Sequence, residues 1–147
     1  GASRLWHRCS GCRTVKPRLA HRVFAAAGAA LAGAGVALSA YAAHAAEGAA
    51  RTNLQTAALF ALVHGVALAA LSRQTPHRLG TIGLSMLLIG VLLFSGSLVA
   101  AHALTGDAFV GHAFIEHVLS MPTRLAPVGG SLLILGWLLY AVDAFRR

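Results

Sequence analysis

Acidic residues are almost missing from this chain: it has four Asp and Glu in 147 residues against twelve Lys and Arg, and only 11% of it is charged. A soluble domain carries about a quarter charged residues, so this scarcity excludes an ordinary water-soluble fold. Cysteine is scarce too. The two present, Cys9 and Cys12, form a single C-x-x-C, which excludes a disulfide framework as the source of stability. No Walker loop, dinucleotide fingerprint, zinc-protease signature or Ser nucleophile elbow occurs. With them go the commonest phosphate, hydride and hydrolytic chemistries, and no enzymatic activity is expected.

What the chain has instead is apolar length. Leu79 to Gly106 is its longest stretch without a formal charge, and eleven Leu, Ile, Val and Phe residues lie between Ile82 and Val99. A helix rising about 1.5 Å per residue crosses the roughly 30 Å hydrocarbon core within that length. Three further spans are expected at about 23–46, 52–72 and 125–142. The segment from Val23 to Ala46 holds 13 Ala and 3 Gly, so side-chain hydrophobicity inserts it only weakly. Ala25, Ala29, Gly33 and Ala37 recur along it every four residues, a small-residue face that allows close helix approach. That pattern predicts the first span to be the packing centre of the fold. Gly83, Gly90 and Ser97 on the third span, and Gly129 and Gly136 on the fourth, fall instead at heptad intervals and predict further packing seams.

The basic residues lie outside these runs. A net charge of +8 would suggest nucleic acid for a soluble protein, but here it reads as topology and headgroup anchoring, with no nucleic-acid partner. Residues 1–22 form an arm with six Lys and Arg and no acid, which also fits the remnant of a processed mitochondrial precursor. Counted by loop, ten basic residues fall on the side of the two termini and two, Arg51 and Arg124, on the other. Both termini are therefore expected inside. Between spans three and four, residues 107–121 gather Phe109, Val110, Phe114 and Val118 on one helical side and Asp107, His112 and Glu116 toward the other. This predicts an amphipathic interfacial helix, ended by Pro122. Pro127 is expected near the start of the fourth span, a usual place for proline. The expected fold is all-α: an integral membrane four-helix bundle at 23–147 plus that helix.

Histidine supplies the candidate chemistry. His44 and His102 stand level near the outer ends of two spans and are the pair a haem or other cofactor would use. His112, Glu116 and His117 have a spacing open to metal ligation. Hydrogen bonding of interfacial imidazoles to backbone, water or headgroups accounts for the same residues without a ligand, and no resident cofactor is expected. His64 lies near mid-depth, where an ionisable group is costly unless satisfied, so it is expected to face the bundle. Cys9 and Cys12 supply two of the four ligands zinc needs, with only His7 and His21 near in sequence, and read as reduced, unliganded thiols.

YAAHA (Tyr41 to Ala45), LQTAALFALVHGVALAAL (Leu54 to Leu71), LFSGSL (around Phe94), ALTG (Ala103 to Gly106) and APVGGSLLILGW (Ala126 to Trp137) occur in order across the four spans. Together they resemble the YgdD and transmembrane protein 256 family of small inner-membrane proteins, over about residues 23–145. The resemblance implies a four-span protein of bacterial plasma membranes or mitochondria, with no assigned reaction. His44, Gln55, His64, Ser95, Gly96, Ser97, Gly129 and Gly130 match its motifs. Phe60 and Ala61 stand where the family has a Tyr-Gln pair, which removes a polar partner for His64. His102, His112 and His117 lie outside the family pattern. The function expected from all this is that of an accessory subunit in a larger membrane complex such as a respiratory one. Its partners would be lipids and other membrane subunits, met through Trp6, Phe109 and Phe114. A b-haem or metal protein, and a small transporter, are the alternatives.

Overall fold

The computed structural model describes residues 19–74, 77–105 and 112–146; the side chains of 104, 105 and 112–124 lie outside the description, as do the arm with Trp6, Cys9 and Cys12, and Phe109. Four helices follow one another: α1 Leu19–Ala45, α2 Gly48–Leu71, α3 Arg78–Thr105 and α4 His112–Phe145. Each contains a stretch long and apolar enough to cross a membrane, in α4 from Leu125 to Phe145. The helices are apolar nearly all round, as lipid-facing spans must be, so position in the fold is set by small residues rather than by an apolar stripe.

The turn between α1 and α2 is only two residues, Ala46 and Glu47. It closes because Gly48 takes a left-handed φ of +53°, which costs a residue without a Cβ nothing. Glu47 is extended, and its carbonyl accepts from the amide of Arg51 at 3.3 Å, starting α2. Two hairpins result: α1 against α2, and α3 against α4. They join through α2 and α3, so the helices form a row in which α1 and α4 are the outer members.

Each hairpin closes on glycines spaced by sevens. In α1 the buried residues are Gly28, Gly35 and Ala42. A Cβ on Gly28 would stand 2.5 Å from the Gly65 carbonyl oxygen, and one on Gly35 would stand 2.8 Å from that of Ala58. In the second hairpin Gly83 and Gly136 face each other's carbonyls at 3.0 Å, while Gly90 lies against Gly129. A heptad repeat keeps small residues on the contact line of helices crossing at about +20°, whereas a four-residue repeat drifts off it. The seam then continues to larger residues: Leu68, Leu84, Leu87, Val91 and Leu133 form the main core, and Ala42, Ala46 and Leu54 a second one toward the α1–α2 turn.

Three expectations are corrected here. Gly33 is exposed and nothing lies within 4 Å of its Cβ position. It is not a packing residue of this fold, because the seam of α1 follows sevens and the Ala29–Gly33–Ala37 series points away. The first span is not the packing centre either: 17% of its apolar window is buried, against 39% for both α2 and α3. Lastly, Pro122 ends no helix and Pro127 starts none. α4 runs unbroken from His112 to Phe145, so residues 112–121 are its first turns rather than a separate element. Proline removes one N–H and crowds one carbonyl, an interruption that long membrane helices absorb by local adjustment.

The hairpins are also tied by a hydrogen bond. Ser95 on α3 is buried and its hydroxyl donates to the Ala57 carbonyl of α2 at 3.0 Å. Replacing Ser95 by Ala should lower stability in detergent by about 0.6 kcal/mol, the average for bonds between membrane helices. The Ala57 carbonyl keeps its own helical amide, so no buried acceptor is orphaned. A thermal or denaturant unfolding curve reads the difference. Ser97, one heptad beyond Gly90, is buried but bonds within its own helix, to the Phe94 carbonyl at 2.8 Å.

Candidate functional site

The most constrained polar group within the spans is His64. It sits on the buried side of α2 with 8% of its surface exposed. Its Nδ1 lies 2.8 Å from the Phe60 carbonyl, one turn back on the same helix. Its Nε2 lies 3.3 Å from Nε1 of Trp137 on α4. These two partners fix the tautomer. Indole N–H can only donate and a carbonyl can only accept, so Nδ1 carries the proton and Nε2 offers its lone pair. The imidazole here is neutral.

Aromatic rings enclose it. Phe60 stacks on the imidazole with centroids 5.5 Å apart and planes 15° from parallel, and Phe94 of α3 tilts onto Phe60 at 4.5 Å. Trp137 approaches the imidazole at 6.2 Å and meets Tyr140 edge-on at 6.5 Å. Phe60 and His64 are four residues apart and so share a helix face. The α1 backbone comes close beside them because Gly65 has no side chain. The expected loss of a polar partner for His64 is thereby corrected: the partner is Trp137, from the last residue of the APVGGSLLILGW motif. A sequence scan for side chains near His64 along α2 misses it, because contact between α2 and α4 depends on how the hairpins dock.

The second buried ionisable group is Asp143, 2% exposed. It follows Gly129 and Gly136 at the same heptad interval and stands in the α3–α4 seam. Since Gly83 faces Gly136 and Gly90 faces Gly129, the antiparallel register carries Asp143 beyond Gly83, toward the N-terminal end of α3. Among the described residues no buried side-chain polar atom lacks a partner, so Asp143 is satisfied. Its position was legible as the next step of the heptad series.

The other candidates are dispersed. His44 is exposed near the end of α1, while His102 is half-buried near the end of α3 with its ring 6.1 Å from that of Tyr41, edge-on. The C-terminal ends of α1 and α3 therefore meet through Tyr41. Among the described residues no three His, Cys, Asp or Glu converge. His112, Glu116, His117 and Phe114 belong to the helical backbone of α4, with side chains outside the description, and Phe109 and Trp6 lie wholly outside it. Of the motif glycines, Gly129 is packed, whereas Gly96 and Gly130 have open space at their Cβ positions.

Comparison with known proteins places this architecture among membrane proteins without an assigned activity. A family described as "Protein of unknown function (DUF423)" matches residues 38–130, from late α1 into α4. A protein called "UPF0382 membrane protein" from Haemophilus influenzae is 32% identical over 117 residues, covering 76% of this chain and 84% of that protein. No solved structure matches.

Proposed function

Because this chain belongs to the DUF423 family of uncharacterised membrane proteins, we propose from its own architecture that it is a non-enzymatic accessory subunit of a larger membrane complex. The observation that carries this reading is the outward face of α1. Ala29, Gly33 and Ala37 are exposed on an outer helix of the row. Lipid tails gain little from so smooth a surface, whereas a neighbouring helix can lie against it at backbone distance. In the family resemblance noted above, the YgdD and transmembrane protein 256 proteins, the same reading applies to bacterial plasma membranes or the mitochondrial inner membrane. The basic arm then lies inside with both termini. The first turns of α4 stand at the opposite face, an interfacial position suited to docking through Phe114 and the preceding Phe109, while Trp6 serves the inner side.

Native gels of the source membrane in mild detergent test the proposal. The protein is expected in a band well above the size of its monomer or dimer, and Gly33→Leu is expected to release it from that band without unfolding it. Migration of the native protein only as a small free species would refute the accessory role; a complex that survives Gly33→Leu would refute the α1 face as its docking surface.

A further inference from the structure

The hydrogen bond between His64 and Trp137 joins the two hairpins. It exists in one protonation state only. Helix packing between α2 and α3, and the Ser95 bond to Ala57, do not change with pH. The Trp137 N–H needs the lone pair on Nε2 of His64, 3.3 Å away. If Nε2 takes up a proton, that lone pair is gone and two N–H groups face each other. The Nδ1 bond to the Phe60 carbonyl survives, since Nδ1 donates in both states. What is lost is solely the link from α2 to α4.

We propose that the His64–Trp137 pair is a proton-sensitive latch between the two hairpins, closed while His64 is neutral and released when the imidazole takes a proton from water. The site is built to tolerate the released state. The imidazole lies nearly parallel over the face of Phe60, so an imidazolium keeps a cation–π partner after Trp137 departs. Among the described residues the groups facing His64 are uncharged: Phe60 from α2, Phe94 behind it from α3, Trp137 from α4, and the backbone of α1 at Gly28 and Ala32 beside Gly65.

The titratable and charged side chains of the packed helices stand elsewhere along them. Those of α1 are His21 and Arg22 at one end and Tyr41 and His44 at the other; α2 has Arg51 in its first turn, and α3 has Arg78 and His102 near its ends. On α4, Tyr140 meets the Trp137 ring, and Asp143 follows one turn later toward the terminal end. Tyr140 and Asp143 thus step from Trp137 toward the C-terminal end of α4.

The chain has two tryptophans, so Trp6→Phe leaves Trp137 as the sole indole reporter. With that variant in lipid nanodiscs, Trp137 emission is followed from about pH 8 to about pH 5, the range in which histidine commonly titrates. A reversible loss of emission is expected as imidazolium forms beside the indole. His64→Gln keeps one donor and one acceptor at this position but cannot take up a proton, so its emission should stay flat. A second measurement reads the hairpins themselves. Spin labels at the lipid-exposed positions Val63 and Leu138, with Cys9 and Cys12 replaced by Ser, should move apart on acidification, and should not move in His64→Gln. Emission unchanged over the whole range, the same emission change in His64→Gln, or a constant Val63–Leu138 separation would each overturn the latch.

Discussion

Leu in place of Gly65 should be among the most costly glycine substitutions in the spans of this protein. A Cβ at that position would stand 2.6 Å from both the Ala32 amide nitrogen and the Gly28 carbonyl oxygen of α1. Both obstacles are backbone, so no rotamer change relieves the clash, and the hairpin must open. Overpacking commonly costs about 1–3 kcal/mol, and this case belongs at or above the upper end because it separates two helices along their length. Gly33→Leu is the control. It points into open space, and its effect on the unfolding of the isolated protein should stay within about 0.5 kcal/mol. Unfolding curves of both variants in the same detergent check the pair. Equal losses in both would mean that α1 presents its other face to α2 and that the packing described here is wrong.

Asp143→Leu should give the second large effect. The carboxylate is 2% exposed and satisfied. Leu is close in size but accepts no hydrogen bond, so the donors now served by Asp143 are left buried and unmatched. Such a loss costs about 1–3 kcal/mol. Asp143→Asn retains one acceptor oxygen and should recover part of the difference. Thermal unfolding of the three proteins side by side checks the order: native, then Asn, then Leu. A Leu variant as stable as the native protein would show that the carboxylate contributes nothing to the seam.

These two residues also separate two kinds of packing signal. On α3 and α4 the heptad series of small residues was readable, and Gly83, Gly90, Gly129 and Gly136 stand at close backbone contacts. On α1 two series compete within the same alanine-rich segment: Ala25–Ala29–Gly33–Ala37 by fours, and Gly28–Gly35–Ala42 by sevens. Either leaves room for a helix. With alanine at so many positions, composition does not favour one face over the other, and the choice falls to the partner. The α2 surface carries Ala58, Ala61 and Gly65 at three- and four-residue steps, which average to the same heptad line and match the sevens. Pro122 misled for a different reason. Its local effect on a helix is real, but whether a chain bends, breaks or continues there depends on the stretch as a whole, and α4 continues.

The sequence by itself determined the class of the protein. Four uncharged runs of membrane length and the near absence of acids set this class, because helices apolar nearly all round have no polar face to turn to water. It also determined that His64 must be satisfied within the protein, since an imidazole at mid-depth is costly unless its polar atoms are paired. Tertiary structure alone decided which helices lie at the centre, which face of α1 is covered, and that Trp137 is the group that satisfies His64. The physical reason is common to all three. In lipid every span is apolar all round, so hydrophobicity no longer marks the buried side, and the choice passes to close contact between backbones, which only the docking of one hairpin on another can settle.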